Sequence, residues 1–462
     1  MKVHLSGACG SAMASLAGLL RERGHAVTGS DQDVYPPMSG QLEAMGIELR
    51  SPYAPENVPA DADVVVIGNA LSRGNPEVEA VLDRKQRMSS LPALLAEQFL
   101  RERRSVVVAG THGKTTTSAL LAFLLERAGL APSFLVGGVP IDFERSYRLG
   151  TGEAFVVEGD EYDSAFFDKR PKFVHYVPEI AVIGNVEFDH ADIYPDLEAV
   201  KTAFFRLMTV IPRRGLLVAG NESPALRELL PRAYCRVETF AVESPADWRA
   251  SELRPGCDGW SFRLTRGSVD LGEFRIGVPG EHNVRNALAA LACAAALGAE
   301  PSRLREGLAA FRGVRRRLEL RGEARGVRVY DDFAHHPTAV RETLRALRAL
   351  GGGRLVAVFE PRSYTSRTRV FQEDFARAFS EADEVVVAAA FLPGKIPQAQ
   401  RMSEADLVAG VVAHGRRARF VPTVDAIVDA LSGELREGDR VAILSNGGFG
   451  GIHDKLLAAL RA

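Results

Sequence analysis

The run Gly-Thr-His-Gly-Lys-Thr-Thr-Thr at residues 110–117 constrains this chain most, because it follows the apolar run at 105–109. A short buried strand that leads through a glycine-rich turn into a helix, which we predict from Ser118 onward, has the geometry of a phosphate-binding loop. The spacing departs from the usual Gly-x4-Gly-Lys-[Ser/Thr] pattern, because Val108 stands where the first glycine would be. The surrounding strand and helix still predict a nucleotide site, and we expect the nucleotide to be ATP.

The residue types in this loop suit a polyphosphate. Gly110 and Gly113 let backbone N–H groups approach the ligand closely, and Lys114 can reach its β- and γ-phosphates. The Thr115 hydroxyl can bind the accompanying Mg²⁺. The predicted nucleotide-binding residues of the loop are Gly110, Thr111, His112, Gly113, Lys114, Thr115 and Thr116.

Length and composition narrow the class of protein. A chain of 462 residues is too long for one hydrophobic core, and its length favours about three domains. With 57 Lys and Arg against 59 Asp and Glu, the net charge of −2 offers no basic surface for nucleic acid or for a membrane. No apolar run approaches the length of a transmembrane helix. We therefore expect a soluble protein without nucleic-acid or membrane partners.

Cysteine usage indicates the compartment. The four cysteines are scattered through the chain, at Cys9, Cys235, Cys257 and Cys293. Because they include no Cys-x-x-Cys pair, they indicate neither a disulfide framework nor a zinc site. Scattered, unpaired cysteines fit a reducing environment, and we expect the protein to be cytoplasmic.

Three blocks rich in alternating strands and helices follow one another, and we expect domains at 1–102, 103–314 and 315–462. The first block begins with a strand at 2–5, turns at Gly7-x-x-Gly10 and continues into a helix at 11–23. Further strands at 26–30 and 63–68 complete a doubly wound, Rossmann-like pattern. The two glycines are only part of a dinucleotide fingerprint, and a tight turn between strand and helix explains them equally well.

The second and third blocks repeat this alternation. Beyond the phosphate loop, the second block has the expected buried strands 154–158, 180–184 and 216–219, the alternating strands 260–264 and 273–276, and the helix 283–297. The alternating pair predicts a small antiparallel patch beside a parallel sheet. The third block has the expected strands 327–330, 355–359, 384–388 and 441–444, separated by helices. The fold class is therefore α/β throughout.

Acidic and imidazole side chains follow two strands of the second block, where ligands of parallel sheets bind. Glu158, Asp160 and Glu161 follow one strand, and Asp189 and His190 follow the next. Magnesium prefers carboxylate and hydroxyl oxygens, so Glu158 suits it. For His190, which is a less typical magnesium ligand, a hydrogen-bonded structural role stays open.

Three further segments carry candidate chemistry. Asn283 stands at a helix N-terminus, where an N-cap role competes with ligand binding. The basic run at 315–317 is either a solvated charge run or the source of an arginine that clamps the γ-phosphate when the third domain closes. The segment Asp-Asp-Phe-Ala-His-His-Pro at 331–337 follows a strand and has more acids and imidazoles than a plain loop needs.

Taken in order, these motifs resemble those of the Mur ligase family, which joins amino acids to UDP-N-acetylmuramate at the expense of ATP. The resemblance covers the whole chain, and its motifs are Gly-x-x-Gly at 7–10, the phosphate loop at 110–116, Glu-x-Asp-Glu at 158–161, Asp-His-x-Asp at 189–192, His-Asn-x-x-Asn at 282–286, Arg-Arg at 316–317 and the segment 331–337. It implies a Rossmann-like first domain that holds the UDP-sugar and a central P-loop ATPase-like domain. A Rossmann-like third domain would bind the amine and close on ATP.

The resemblance also implies roles for individual residues. The expected catalytic residues are Lys114, Glu158, His190, Arg317 and Asp332. The nucleotide would be held by the phosphate loop together with Asn283, Arg317 and Asp332, and Mg²⁺ by Thr115, Glu158 and His190. The expected substrate-binding residues are Gly7, Gly10, Ser11, Asp31, Asn69, Arg73, Glu161, His335, His336, Arg362, Tyr364, Lys395 and Asn446.

Four stretches resemble the family branch that attaches a whole tripeptide, L-alanyl-γ-D-glutamyl-meso-diaminopimelate, during murein recycling. They lie at 33–38, 68–75, 161–170 and 359–363. The expected reaction therefore joins this tripeptide to UDP-N-acetylmuramate, and the alanine-adding branch is the nearest alternative. A non-catalytic nucleotide-binding regulator is a further alternative, although it would not need polar residues at successive strand ends. We expect a monomer or a weak homodimer.

One departure concerns the metal site. Several branches of the family have a carbamylated lysine one or two helical turns after the Asp-His motif, and here Phe204 or Phe205 stands at that position. Magnesium binding should therefore not depend on bicarbonate. The alanine-adding branch shares this absence, so the departure does not separate the two activities.

Residues that follow the predicted strands of the third domain are candidates for binding the carboxylates of the tripeptide. Arg362 and Lys395 each follow a predicted strand, and arginine is suited to bidentate pairing with the tripeptide carboxylates. The turn after the last strand, with Asn446, offers backbone donors. The alternative is that both cations are ordinary surface charges and that the turn only ends a strand.

Overall fold

The computed structural model describes residues 1–32, 34, 38–242, 244–256, 259–392, 394 and 396–462. Lys395 and most of the stretch 33–38 lie outside these residues, so the predictions made for them have no structural counterpart here. Among the described residues, every helix is too short or too polar to span a lipid bilayer.

The first sheet has five parallel strands in the order β3-β2-β1-β4-β5. Its strands are β1 (Lys2–Ser6), β2 (Ala26–Ser30), β3 (Glu48–Arg50), β4 (Val64–Ile67) and β5 (Met88–Ser90). Its helices are α1 (Ser11–Glu22), α2 (Met38–Ala44), α3 (Pro76–Asp83) and α4 (Leu91–Leu95), the last of which continues into a π-helical turn at Ala96–Leu100. This order is that of a Rossmann-like, doubly wound sheet, as predicted.

The central sheet has ten strands in the order β17-β16-β15-β14-β13-β12-β6-β9-β7-β8. The strands of this part of the chain are β6 (Arg104–Ala109), β7 (Ser133–Leu135), β8 (Tyr147–Arg148), β9 (Ala154–Glu158), β10 (Asp163–Ala165), β11 (Asp168–Pro171), β12 (Ile180–Ile183), β13 (Leu216–Gly220), β14 (Arg236–Val242), β15 (Trp248–Gly256), β16 (Gly259–Arg266) and β17 (Val269–Ile276). Strands β15 to β17 pair antiparallel, as expected for the small patch, and β10 and β11 form a separate hairpin.

Helices cover the central sheet on both faces. They are α5 (Lys114–Arg127), α6 (Leu197–Thr209), α7 (Pro224–Leu229), α8 (Glu281–Ala296) and α9 (Pro301–Ala310). The prediction that α5 begins at Ser118 is wrong. The Thr117 N–H donates to the Gly113 carbonyl oxygen at 2.9 Å, so the first helical turn already encloses the residues expected to bind phosphate.

The third sheet has six strands in the order β18-β19-β23-β20-β21-β22, and β18 alone runs antiparallel to its neighbour. Its strands are β18 (Glu319–Ala324), β19 (Val327–Asp332), β20 (Leu355–Phe359), β21 (Glu384–Val387), β22 (Arg417–Phe420) and β23 (Arg440–Leu444). Its helices are α10 (Pro337–Ala349), α11 (Tyr364–Arg367), α12 (Gln372–Ala378), α13 (Glu404–Ala413), α14 (Val424–Glu434) and α15 (Ile452–Arg461). The predicted α/β architecture with three sheets is confirmed.

The inner strands are largely apolar because helices cover both of their faces, although β23 begins with the buried Arg440. Strands β4, β12, β20 and β23 are buried at every position. The carboxyl ends of the parallel strands therefore carry the polar loops, and these ends position the site described next.

The hydrophobic cores do not follow the three sheets one by one. One cluster of buried side chains runs without a break from Val3 in the first sheet to Leu229 in α7. In contrast, the two clusters of the third sheet take all their buried members from residue 318 onward. The first two sheets are therefore fused through a common core, and the third is not.

Candidate active site

The phosphate loop joins the end of β6 to the start of α5. Gly113 has a backbone φ of +82°, and a Cβ atom there would lie 2.4 Å from the side-chain oxygen of Asn286. A larger residue at this position would be strained and would collide, so glycine is required. The loop is closed from the other side by Asn185, whose side-chain oxygen accepts the His112 N–H at 2.8 Å.

Lys114 is held at the base of this loop by oxygen atoms. Its Nζ donates to the carboxylate of Glu161 at 2.8 Å and to the Gly110 carbonyl oxygen at 2.8 Å. Burial alone would lower the pKa of Lys114, but the carboxylates of Glu161 and Asp160 outweigh that effect and raise it. Lys114 therefore keeps its positive charge in a buried position next to the loop.

Three segments meet at the Thr115 hydroxyl. It donates to the Glu158 carboxylate, which ends β9, at 3.0 Å, and it accepts from the Arg317 guanidinium of the interdomain connection at 3.3 Å. The other Glu158 oxygen accepts the Gly137 N–H at 2.7 Å. Burial raises the pKa of Glu158 in spite of these contacts. The arrangement brings together a hydroxyl, a carboxylate and an arginine from distant parts of the chain.

His190 is connected to the phosphate loop by the Glu161 carboxylate. The Nε2–H of His190 donates to Glu161 at 3.0 Å, so the buried Glu161 carboxylate bridges His190 and Lys114. Burial disfavours the charged imidazole, but the contact with Glu161 outweighs this and raises the pKa of His190. Glu161 thus connects the two strand ends that the sequence singled out.

The third domain contributes the loop after β19. The Asp332 carboxylate accepts the Leu318 N–H at 2.7 Å and the Ala334 N–H at 2.8 Å, and burial raises the pKa of this carboxyl. The Nδ1–H of His335 donates to the Phe333 carbonyl oxygen at 3.0 Å. Burial lowers the pKa of His335 to about 4, so its imidazole is neutral at pH 7 and Nε2 carries the lone pair.

A polar clasp joins the third domain to the phosphate loop. Its centre is Glu187, whose Oε2 accepts from the Thr338 hydroxyl at 2.7 Å and from the His112 Nε2–H at 3.3 Å. Burial works to raise the pKa of Glu187, but the His112 and Thr338 contacts outweigh it and hold the pKa at about 2. His336 completes the clasp by donating from Nε2 to the Phe188 carbonyl oxygen at 3.1 Å.

These groups line one cavity of about 920 Å³ between the central and third domains. The sequence-predicted residues that line it are Thr111, His112, Gly113, Lys114, Thr115, Thr116, Glu158, His190, Asn283, Arg317, Asp332, His335, His336, Tyr364 and Asn446. Gly110 and Glu161 contact Lys114 from behind the cavity wall. The alternative N-cap role for Asn283 is wrong, because Gly280 caps α8 and the Asn283 amide instead donates to the Pro279 carbonyl oxygen at 2.6 Å.

A second cavity of about 640 Å³ lies at the carboxyl edge of the first sheet. The sequence-predicted residues that line it are Gly7, Gly10, Ser11, Asp31 and Asn69. The Asp31 carboxylate accepts the Cys9 N–H at 2.8 Å and the Tyr53 hydroxyl at 3.0 Å. Asp31 therefore fixes the glycine turn that leads into α1, and the N-terminus of that helix faces the cavity.

The structure does not bring every predicted residue to a cavity. The exposed guanidinium of Arg73 pairs with Glu79 through two hydrogen bonds of 2.9 Å, outside the residues that line the second cavity. Arg362 lies beside the large cavity but does not line it, because its guanidinium carbon stands 3.6 Å from the centre of the Phe391 ring. The Arg362 guanidinium thus packs against an aromatic ring in this structure, whereas its position after a strand predicts a contact with a ligand.

Sequence reasoning missed several lining residues. Glu187, Thr338 and Thr365 line the large cavity, and Ser164 and Lys172 of the central domain line the second one. Thr338, Thr365 and Lys172 carry no local pattern that marks them, because each acquires its place only when two domains meet. Glu187 and Ser164 carried a signal, since Glu187 follows β12 within the segment that also contains His190 and Ser164 lies within the stretch 161–170.

Comparison with protein families covers most of the chain. Residues 2–103 match the catalytic domain of the Mur ligase family, residues 108–294 match the Mur ligase middle domain, and residues 316–447 match the Mur ligase glutamate ligase domain. The order of these three matches is also the order of the three sheets.

Individual relatives span the chain from end to end. The UDP-N-acetylmuramate–L-alanyl-γ-D-glutamyl-meso-2,6-diaminoheptandioate ligase of Escherichia coli is 44% identical over 463 residues, which cover 100% of this chain and 98% of that protein. The UDP-N-acetylmuramate–L-alanine ligase of Kineococcus radiotolerans is 41% identical over 445 residues, 95% of this chain and 92% of that protein. The crystal structure of a murein peptide ligase from Psychrobacter arcticus is 37% identical, with a TM-score of 0.74, and covers 100% of this chain and 99% of that one.

Proposed function

This chain belongs to the Mur ligase family, and from that premise we propose that it joins the tripeptide L-alanyl-γ-D-glutamyl-meso-diaminopimelate to UDP-N-acetylmuramate in murein recycling. It is an ATP-dependent, ADP-forming amide ligase, as members of this family are. The observation that carries the proposal is the 44% identity to a tripeptide ligase over the full chain. The phosphate loop, the strand-end carboxylate and the arginine that meet at Thr115 support the reaction type.

The reaction has two steps. An oxygen of the lactyl carboxylate attacks the γ-phosphorus of ATP, the bond to the β-phosphate oxygen breaks, and an acyl phosphate and ADP form. The tripeptide amine, after its ammonium form has lost one proton, attacks the acyl carbon, the bond from that carbon to the phosphate oxygen breaks, and the amide nitrogen gives up a second proton as inorganic phosphate leaves. Lys114 and Arg317 line the same cavity and would neutralise the charge that develops on the transferred group.

The third domain would receive the amine. His335 lines the large cavity with a neutral imidazole, and because its Nδ1–H is held by the Phe333 carbonyl oxygen, its Nε2 can accept a hydrogen bond from the incoming ammonium group. Tyr364 and Asn446 line the same cavity. On this proposal, these residues orient the tripeptide, and closure of the domain keeps water from the acyl phosphate.

The residues at Thr115 fit a magnesium ion. A hydroxyl and a carboxylate 3.0 Å apart are hard oxygen ligands, and a nucleotide phosphate would complete the set. We propose that Thr115, Glu158 and His190 hold Mg²⁺, which when bound neutralises charge on the β- and γ-phosphates. The Glu158→Gln variant should require a higher magnesium concentration for ATP binding, measured by titrating a fluorescent ATP analogue. An unchanged magnesium dependence would remove Glu158 from the metal site.

The alternative activity is the addition of L-alanine, and the observation that favours it is the 41% identity to an alanine ligase. Measuring ADP release with UDP-N-acetylmuramate and either L-alanine or the tripeptide separates the two. We expect release with the tripeptide and little above background with alanine. Equal or preferential use of alanine would assign the chain to the alanine-adding branch. We also propose that the enzyme acts in the cytoplasm, as a monomer or weak homodimer.

A further inference from the structure

An ion pair joins the linings of the two cavities. Lys172 lines the second cavity, and its Nζ donates to the Asp160 carboxylate at 2.5 Å, while Asp160 lines the large cavity. In the proposed reaction, the lactyl carboxylate of a substrate held in the second cavity must reach the γ-phosphate in the large one. Its path therefore passes this pair.

The second cavity needs positive charge to hold a nucleotide diphosphate. Among the described residues that line it, Lys172 is the one cationic side chain, and Asp31 is an acid whose oxygens are already engaged by Cys9 and Tyr53. The N-terminus of α1 contributes only about half a positive charge. Without Lys172, the charge of the described lining would repel a substrate that carries a diphosphate and a carboxylate.

Lys172 is also fixed in place and retains donors for a ligand. It begins a 3₁₀ turn at Lys172–Tyr176, its backbone N–H donates to the Tyr162 carbonyl oxygen at 2.9 Å, and its ammonium lies 5.8 Å from the centre of the Tyr162 ring. An ammonium group has three N–H donors. Among the described residues, Asp160 accepts one of them, which leaves two for a ligand in the cavity that Lys172 lines.

From these contacts we propose that Lys172 binds an anionic group of the nucleotide-sugar substrate at the passage between the two cavities. The anionic group is either the diphosphate or the lactyl carboxylate, which share the same chemistry. This inference rests on the proposed function, since it takes UDP-N-acetylmuramate as the occupant of the second cavity. Lys172 is then a substrate-positioning residue, and Asp160 holds its ammonium until the substrate arrives.

The first test measures binding of UDP, UDP-N-acetylglucosamine and UDP-N-acetylmuramate to the full-length protein by titration calorimetry without ATP. Lys172→Gln should weaken binding by about 10- to 100-fold, the loss expected for one charged hydrogen bond. Lys172→Arg should restore most of it. The matched control is Lys169→Gln, on the preceding strand β11, where the exposed Lys169 pairs with Asp163 at 2.6 Å and substitution should leave binding unchanged.

The three probes distinguish the two anionic groups. If Lys172→Gln weakens binding of all three, the contact is to the diphosphate, which they share. If it weakens only UDP-N-acetylmuramate, the contact is to the lactyl carboxylate, which the other two lack. Wild-type affinity for all three in Lys172→Gln would overturn the inference.

A second variant separates substrate binding from a structural ion pair. Asp160→Asn frees the Lys172 ammonium, so UDP-sugar affinity should stay the same or increase. If the pair only stabilised the fold, Asp160→Asn and Lys172→Gln would lower both the melting temperature and the affinity together, and the inference would be wrong. In steady-state assays, Lys172→Gln should raise KM for UDP-N-acetylmuramate and leave KM for ATP unchanged.

Failure of this inference and failure of the proposed function give different results. If the wild-type protein bound none of the three UDP compounds, the proposed function and the inference would fail together. If the wild-type protein ligated UDP-N-acetylmuramate and Lys172→Gln did so with the same KM and kcat, the inference alone would fail.

Discussion

The two junctions between domains differ in the kind of contact that holds them together. At the junction of the first and central domains, the Tyr147 ring packs directly over Gly18, where a Cβ atom would lie 2.1 Å from the ring. Phe99 and Phe155 also meet there, with ring centres 6.2 Å apart, inside one continuous apolar cluster. This junction has the character of a domain interior.

The junction of the central and third domains is mainly polar. It consists of the Glu187 clasp, the hydrogen bond from the Thr365 hydroxyl to Asp189 at 2.8 Å and the contact of Arg317 with Thr115. Its apolar part includes the contact of Phe188 with Phe371, whose tilted rings have centres 5.6 Å apart. Each of these hydrogen bonds involves a charged group and contributes about 1.5–3 kcal/mol, and water can replace each of them when the junction opens.

The difference identifies which junction can open. Separating the first two domains would expose apolar surface, which costs about 25 cal/mol per Å². Separating the third would mainly exchange protein hydrogen bonds for hydrogen bonds to water. We therefore expect the first two domains to move as one body, and the third to open and close over the large cavity.

The largest predicted effect concerns the groups that face each other across the polar junction. Lys114→Ala on the central side and Arg317→Ala on the third-domain side should each lower kcat by at least about 10²-fold, because each removes charge stabilisation from the transferred phosphoryl group. Both variants should remain folded, which circular dichroism checks, although Lys114→Ala should lower the melting temperature because it removes a partner of the buried Glu161 carboxylate. If Arg317→Ala released ADP at the wild-type rate, Arg317 would not be a catalytic residue that closure of this junction brings to the phosphates.

A substitution in the apolar junction should lower the free energy of unfolding. Tyr147→Ala removes the ring over Gly18 and should lower the free energy of unfolding by about 3 kcal/mol, measured by urea denaturation. The control is Tyr147→Phe, which keeps the ring and should cost less than about 1 kcal/mol. A Tyr147→Ala protein as stable as the wild type would mean that this junction is not a shared core.

A substitution in the polar clasp should change the position of the third domain and have little effect on the free energy of unfolding. Thr338→Val removes one hydrogen bond to Glu187 and should shift the equilibrium toward an open third domain by about 1–2 kcal/mol. Small-angle scattering should show a larger radius of gyration for the variant, and compaction of the wild type when an ATP analogue and the UDP-sugar bind. Identical scattering in all of these states would indicate that the clasp does not control closure.

The smallest effect is expected for a polar contact within the apolar junction. The Ser15 hydroxyl lies 2.8 Å from that of Ser146, across the same boundary as Tyr147. Ser15→Ala should change the free energy of unfolding by less than about 1 kcal/mol and leave the scattering unchanged, because the surrounding apolar contacts hold the two domains together. An opening comparable to that of Thr338→Val would erase the distinction between the junctions.

The parts of the site that lie close together in sequence could be predicted. The phosphate loop occupies eight consecutive positions between an apolar strand and a helix, so its motif and its local structure coincide. The start of α5 was misplaced because Thr115 to Thr117 read as part of a loop, whereas their backbone already forms the first helical turn. Strands β18 and β22 escaped prediction, since they are short and largely exposed and lack an apolar run.

The contacts between domains could not be predicted in the same way. Thr338 and Glu187 are 151 positions apart, and nothing in either local sequence indicates the other. Arg362 is a different case, since its position after β20 predicts a ligand contact, whereas in this structure its guanidinium lies over the ring of Phe391. Such pairings depend on how whole domains are arranged, which short patterns do not encode.

The continuous core from Val3 to Leu229 has a consequence for how the protein is made. When the first sheet has left the ribosome, the apolar surface that β7, β8 and the 3₁₀ turn at Lys172–Tyr176 will cover is still exposed. At about 5–20 residues per second, the segment up to residue 176 follows some 4–15 s later. During that interval the nascent first domain exposes this apolar surface to solvent, whereas the buried core of the third domain comes from that domain alone.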